Sequence, residues 1–157
     1  MGQKDAVIVG YDAISPLGSD LPGQWRRALA GKSGIGPLTR FPLPEGFPVH
    51  IAGQVPDIDH EKYPFLTARH QAAWRSPVFK YSLLSVARAL ERSRIEITPA
   101  IAARTAVTYS SAIGGLDAVL AADRRLQTDN KLPPPYTNPN SCINMIGGTI
   151  AIENGTR

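Results

Sequence analysis

The chain has 157 residues, of which 43% are hydrophobic and 19% are charged, a composition typical of a folded globular domain and too apolar for disorder. The formal net charge of +4 is spread along the chain without a run of lysines or arginines, which argues against nucleic-acid binding. A single cysteine excludes an internal disulfide, and neither a signal peptide nor an apolar run of membrane-spanning length is found, so we expect a cytoplasmic protein without a membrane span.

The first two predicted elements are a buried strand and a short helix. The continuous apolar, β-branched run at residues 5–14, DAVIVGYDAI, is typical of a strand buried on both faces of a sheet. Either Ser19 or Asp20 can accept a hydrogen bond at the start of the helix that follows. We expect Trp25 and Leu29 on the inner face of this helix.

A proline-rich stretch follows, and we interpret it as an insertion at about residues 33–75. Its one regular element is predicted to be a short strand in HIAGQV, residues 50–55. Apolar side chains such as Phe41, Phe47 and Ile51 indicate an ordered insertion or a lid, and not a linker.

The clearest helix is predicted at residues 77–93, PVFKYSLLSVARALERS. Ser76 before Pro77 is the preferred cap followed by the preferred first helical residue. Apolar residues recur at helical spacing along one side of this segment: Phe79, Leu83, Val86 and Leu90.

The last third of the sequence predicts a strand and two helices. RTAVTYSS, residues 104–111, has the pattern of a second buried strand, and the glycines at 114–115 turn it into a helix over 116–128. Asn138 can cap a final buried helix over 139–154, which ends at an Asn-Gly stop.

Two adjacent glycines, Gly147 and Gly148, lie inside this final helix, where each costs about 1 kcal/mol relative to alanine. We therefore expect another segment to pack tightly against them.

Strands that alternate with helices predict an α/β architecture. Two buried strands are too few for such a layered fold, and a third strand is expected where the sequence ends, so we expect an incomplete sheet.

Five collinear segments carry a resemblance to a known family. They are VIVGYDAISPLGSD, WRRALAGKSGIGPLTRF, FPVHIAGQV, SSAIGGL and NMIGGTIAIENGTR. Together they resemble the N-terminal part of a beta-ketoacyl-acyl-carrier-protein synthase, a condensing enzyme of the thiolase fold. The resemblance implies that residues 1–157 form the N-terminal portion of such a synthase domain.

The reaction that the resemblance implies is a decarboxylative Claisen condensation. It implies no cofactor, because the acyl and malonyl groups are carried on the phosphopantetheine of acyl carrier protein. The implied partners are acyl carrier protein and a second subunit, in a homodimer or in a heterodimer with a ketosynthase subunit. The implied nucleophilic cysteine and two histidines would follow Arg157, so we expect the 157-residue chain by itself to be inactive.

The resemblance also implies positions for an acyl pocket. Ile113 matches a family position that lines the acyl tunnel near the dimer interface, where side-chain bulk limits chain length. Tyr136, Ser141 and Cys142 lie in a stretch that packs at the same interface, and we expect them at the acyl pocket. Plain core packing is the alternative for all four residues.

Carrier-protein docking is implied for Arg69 and Arg75, within ARHQAAWRS. The corresponding cluster in active members is more basic, so weaker electrostatic docking is expected. Asp12 and Ala112 replace family glycines, which suits a diverged member.

Other catalytic and metal sites are not supported by the sequence. Cys142 is expected inside a buried helix, as a small core residue and not a nucleophile. His50, His60 and His70 have no common metal-ligand spacing, and the residues at 110–111 lack a GxSxG motif. We therefore expect no catalytic residue and no metal site in this chain.

Three functions remain open. The chain can be the N-terminal piece of a condensing enzyme, a piece of a non-catalytic partner subunit of the chain-length-factor type, or a stand-alone binding module. Acyl length and the choice between fatty acid and polyketide synthesis also remain open.

Overall fold

A computed structural model describes residues 5–58 and 76–156. Contacts divide the described residues into a hairpin unit, residues 12–58, and a helical unit, residues 5–11 with 76–156. The elements are α1 (Leu21–Leu29), β1 (Ile35–Pro37), β2 (Ile51–Gly53), α2 (Pro77–Ser93), α3 (Pro99–Ala102), α4 (Leu116–Asp129), α5 (Thr137–Ser141) and α6 (Ile143–Asn154).

In the hairpin unit, α1 begins as the sequence predicts. The Asp20 carboxylate accepts a hydrogen bond of 2.9 Å from the backbone N–H of Gly23, which satisfies one of the free donors in the first turn. The prediction of a cap at residue 19 or 20 is confirmed at Asp20.

The inner face of α1 is polar, contrary to the prediction. Gln24 is buried; its Nε2 donates to the carbonyl of Ala13 at 2.6 Å, and its Oε1 accepts from the Ser15 hydroxyl at 2.7 Å. Trp25 and Leu29 are 64% and 70% exposed, so their predicted burial within this unit is wrong. The two buried hydrogen bonds of Gln24 fix the helix rotation and turn the apolar side chains outward.

The two short strands of this unit form an antiparallel ribbon with Ile35 opposite Gly53, which confirms the strand predicted within residues 50–55. Pro16 packs against the ribbon: a Cβ added to Gly34 or Gly53 would lie 2.8 or 2.9 Å from its ring. The insertion predicted at about 33–75 stays a prediction, because residues 59–75 lie outside the described residues.

The core of the helical unit lies between α2 and α6. Its buried members are Phe79, Leu83, Ile146 and Ile150. Val107 and Tyr109 from the segment that follows α3 pack against this cluster. Helix α2 has the predicted bounds and α4 differs by one residue at its end, whereas α3 was not predicted.

The two long strands predicted from the sequence are not formed, and this prediction is wrong. Residues 5–11 form neither a helix nor a strand, and Val7 and Ile8 are 76% and 87% exposed. In residues 104–111, burial alternates along the chain, so only one face packs on the core. A strand is defined by hydrogen bonds to a neighbour, and neither segment has a paired strand within the described residues.

The helix predicted over 139–154 is divided in two. Cys142 has extended backbone angles (φ −95°, ψ 118°), separates α5 from α6 and serves as the N-cap of α6. Gly155 ends α6 with a positive φ of 63°, as the Asn-Gly stop predicts. None of the helices described here is both long and apolar enough to cross a bilayer.

The expectation of tight packing on the glycine pair is wrong. A Cβ on Gly147 would lie 3.5 Å from Tyr109 Cβ, which is an ordinary van der Waals contact, and Gly148 has open space beside it.

Candidate functional site

The turn that carries Ile113 is seated on the junction between α5 and α6. A Cβ added to Gly115 would overlap the carbonyl oxygen of Asn140 and lie 2.7 Å from the Cα of Ser141. A Cβ on Gly114 would lie 2.9 Å from Ile143. The two glycines therefore allow the backbone to approach this junction more closely than a larger residue could.

The four residues predicted for an acyl pocket all lie around this contact. Ile113 is 71% exposed and Tyr136 is 50% exposed, while Ser141 and Cys142 are half-buried. The structure thus places an apolar side chain at the tip of the turn, beside residues 136–142.

Cys142 lies between two helices and not inside one, so the predicted position is wrong. Its thiol is 3.6 Å from the side-chain oxygen of Asn138 and 3.9 Å from the hydroxyl of Ser141. The described part of the helical unit contains no histidine that could act as a base on this thiol. His50 is exposed in the hairpin unit, and His60 and His70 lie outside the described residues.

A groove of about 660 Å³ runs beside the turn, between α4 and the segment that leads into α5. Its floor is formed by small side chains on α4, and prolines with an aromatic ring form the opposite wall. The floor and wall residues are Ala118, Ala121, Ala122, Pro134, Pro135 and Tyr136. The sequence analysis missed this groove, although alanines at helical spacing before a run of prolines signal a close helix–loop contact.

Three polar residues connect the starts of α2 and α4 with the end of α5. The backbone N–H of Ser76 donates to Asn140 Oδ1 at 3.2 Å, and the Ser76 hydroxyl donates to Asp117 Oδ1 at 2.7 Å. Asn140 Nδ2 donates to the carbonyl of Tyr136 at 2.8 Å. We call Ser76, Asp117 and Asn140 the polar cluster. Of these, only Ser76 was singled out by the sequence, and there as a helix cap.

A second pocket, of about 560 Å³, lies in the hairpin unit and is polar. Gln54 Oε1 accepts from the backbone N–H groups of Thr39 and Arg40, each at 3.1 Å. The Arg40 guanidinium donates to the Val55 carbonyl and pairs with Asp57 at 3.6 Å. These side chains hold the ribbon together. Arg69 and Arg75, predicted to dock the carrier protein, lie outside the described residues.

Residues 3–157 match the family described as beta-ketoacyl synthase, N-terminal domain. The chain belongs to the beta-ketoacyl synthase family. Among similar proteins of this family is the 3-oxoacyl-[acyl-carrier-protein] synthase 2 of Coxiella burnetii (strain RSA 493 / Nine Mile phase I), 34% identical over 155 residues, with 98% of this chain and 36% of the relative covered. The enzyme of the same name from Vibrio harveyi is 30% identical over 158 residues, covering 100% of this chain and 37% of the relative.

A solved structure described as the ishigamide ketosynthase/chain length factor has the same fold. It superimposes with a TM-score of 0.73 at 19% identity, over 96% of this chain and 37% of that chain. The predicted fold class is confirmed: the chain is α/β, the N-terminal part of a thiolase-like fold with an incomplete sheet. It spans just over a third of the length of the beta-ketoacyl synthases that it matches.

Proposed function

We propose that this chain forms one wall of the acyl pocket of a beta-ketoacyl-acyl-carrier-protein synthase. The observation that carries the proposal is the seating of the Ile113 turn on Asn140 and Ser141, which brings the four predicted pocket residues into one region of the helical unit. The names of the curated relatives state a 3-oxoacyl product on acyl carrier protein. Family membership therefore supports carrier-bound acyl chains as the substrate class.

In the proposed reaction, an acyl group passes from the carrier-protein thioester to a cysteine thiolate of the synthase. Malonyl carrier protein then loses carbon dioxide, and the carbanion attacks the enzyme thioester, which forms the new carbon–carbon bond and releases the thiolate. The phosphopantetheine arm of the carrier protein holds the substrates, so no further cofactor is proposed. The described residues of the helical unit offer no histidine as a base for Cys142, and we expect the 157-residue chain alone to release no carbon dioxide from malonyl carrier protein, measured against a boiled sample.

Ile113 is the residue that we assign to chain-length control. Its exposed, β-branched side chain lies on a turn that is already packed against the junction of α5 and α6. The turn cannot move closer to this junction, because Gly114 and Gly115 contact Ile143 and Asn140. A bulkier side chain at this position shortens the space for an acyl chain, and a smaller one lengthens it. Tyr136, Ser141 and Cys142 are proposed to flank the same space.

A chimera tests this assignment. Residues 3–157 replace the matching segment of the C. burnetii synthase, and product lengths are measured by mass spectrometry for Ile113→Phe and Ile113→Ala. We expect shorter products for the first and longer products for the second. Ile101→Phe is the control, because Ile101 is also exposed but lies on α3. Identical product lengths in all variants would refute the assignment.

Acyl carrier protein is the proposed partner, with Arg69 and Arg75 as its docking residues, and the assembly is proposed to be a cytoplasmic homodimer or a heterodimer with a ketosynthase subunit. In the chimera, replacing both arginines by alanine is expected to raise the KM for malonyl carrier protein, with little change in kcat, since surface charges mainly steer association. An unchanged KM would remove these residues from the docking site. Both arginines belong to the insertion that we propose at about 33–75.

A non-catalytic partner subunit is the second candidate, because the name of the solved structure includes a chain length factor. The coding sequence downstream of codon 157 distinguishes the candidates. A cysteine in the turn after α6 supports the synthase, and another residue there supports the partner subunit. The exposed Val7 and Ile8 argue against a stand-alone binding module, which should purify as a monomer with one cooperative melt.

A further inference from the structure

The polar cluster joins three helix ends that are far apart in sequence. Ser76 precedes α2, Asp117 is the second residue of α4, and Asn140 lies in α5. The two hydrogen bonds from Ser76 span 64 and 41 residues. They are therefore tertiary contacts that determine how α4 and α5 are placed relative to α2.

The Ser76 side chain makes one of these tertiary contacts and does not cap α2. A serine before a helix usually accepts from an N–H of the first turn, but the Ser76 side chain makes no such cap bond. Its hydroxyl donates to Asp117 instead. Because Ser76 and Asn140 are 1% and 3% exposed, a lost partner would leave a buried polar group that water cannot readily reach.

Asn140 is also the residue on which the Ile113 turn rests. Its side chain accepts from Ser76, and its backbone carbonyl lies where a Cβ of Gly115 would be. Gly115 has a positive φ of 69° and is buried, so the turn has little freedom to adjust. A movement of α5 must therefore be transmitted to the turn and to Ile113.

We propose that Ser76, Asp117 and Asn140 are positioning residues that fix the Ile113 turn against the end of α5. Their consequence for acyl length rests on the proposed function, whereas the positioning itself does not. The hydrogen bonds of the polar cluster hold Asn140 in place. Asn140 contacts Gly115, and the position of Gly115 determines where the turn places Ile113.

Cys142 provides a probe of this position, because it is the only cysteine of the chain and follows Asn140 by two residues. The rate of its alkylation by iodoacetamide is measured in the 157-residue chain. Asn140→Ala, Ser76→Ala and Asp117→Ala are each expected to raise the rate about tenfold, because loss of a buried hydrogen bond favours local opening. Asp117→Asn keeps an acceptor for the Ser76 hydroxyl and is expected to restore the rate to within about twofold of the unsubstituted chain.

Two control variants separate positioning from general loss of stability. Asp129→Ala removes a carboxylate from the same helix and the same groove, but outside the polar cluster, and should leave the rate unchanged. Val86→Ala weakens the core on α2 and should lower the melting temperature without a comparable rise in alkylation. The proposal is overturned if the cluster variants react like the unsubstituted chain, if either control reacts like them, or if Asp117→Asn fails to restore the rate. It is also overturned if the unsubstituted thiol reacts as fast as in denaturant.

The chimera adds the functional measurement. Asp117→Ala is expected to broaden the distribution of product lengths and Asp117→Asn to restore it. A result in which alkylation follows the prediction but Ile113→Phe leaves product length unchanged would reject the proposed function and keep the positioning. The reverse result would reject the positioning alone.

Discussion

Two apolar stretches of the helical unit have opposite environments. In α6, Ile146 and Ile150 are 1% and 4% exposed, whereas in residues 5–11 Val7 and Ile8 are 76% and 87% exposed. Both stretches are rich in isoleucine or valine. Their hydrophobicity alone therefore does not decide which of them is buried.

The difference lies in where each backbone finds its hydrogen bonds. The interior of a helix satisfies its own N–H and C=O groups, so α6 needs no neighbouring backbone and can bury one face against α2. An extended segment needs a neighbouring strand, and among the described residues no backbone partner is found for residues 5–10. Both stretches need another segment to cover their side chains, but only the strand also needs one for its backbone hydrogen bonds.

The largest expected difference in stability comes from replacing one isoleucine by alanine in each of the two stretches. Ile146→Ala should lower the free energy of unfolding by about 2–5 kcal/mol, because it leaves a cavity in the core between α2 and α6. Ile8→Ala should change it by less than about 0.5 kcal/mol. Urea denaturation followed by circular dichroism measures both values. Equal losses would show that residues 5–11 are buried in solution, and the comparison would fail.

Helices were predictable from the sequence to the extent that their signals are local. The cap at Asp20, the proline at the start of α2 and the glycine stop after Asn154 all act within one turn, and the structure has all three. The two long strands depend on partners that local patterns do not contain. The inward-facing Gln24 was missed because a glutamine carries no periodic signal.

The residues of the candidate site could be predicted from the sequence, but their arrangement in space could not. Ile113 and residues 136–142 came from the family resemblance, and the structure brings them together through Gly115. The break at Cys142 was missed because no proline or glycine between residues 140 and 146 marks it. Asp117 and Asn140 were missed because hydrogen bonds over 41 and 64 residues leave no mark in a local pattern.

A smaller loss of stability is expected at Gly115, where the backbone of the Ile113 turn lies closest to the junction of α5 and α6. Gly115→Ala should cost about 2–4 kcal/mol, because alanine is strained at positive φ and its Cβ would overlap Asn140. Gly155→Ala is the matched control, since Gly155 also has a positive φ but open space around it, and should cost only about 1 kcal/mol. The difference between the two losses of unfolding free energy measures the contribution of the contact between Gly115 and Asn140. A difference of zero would mean that the turn does not contact the junction of α5 and α6.

Within α6, a substitution at the exposed Gly148 is expected to increase stability instead of lowering it. Gly148→Ala should raise the free energy of unfolding by about 0.5–1 kcal/mol, because alanine favours the helix and a Cβ there meets nothing. Thermal melting followed at 222 nm is a suitable measurement. A loss of stability would indicate that another segment packs on Gly148 in solution.

The smallest effect on stability, and the most direct test of the comparison, is expected for lysine at two equally exposed isoleucines. Ile8→Lys and Ile152→Lys replace side chains that are 87% and 78% exposed, so each should change the free energy of unfolding by less than about 0.5 kcal/mol. Their effects on self-association should differ. Residues 5–10 present unpaired backbone groups beside apolar side chains, and a charge on such an edge suppresses strand pairing between chains, whereas the backbone around Ile152 is already bonded within α6. Light scattering at increasing protein concentration should show less aggregation for Ile8→Lys than for Ile152→Lys. Equal aggregation in the two variants would mean that exposed apolar area alone, and not the unpaired backbone, drives association of this chain.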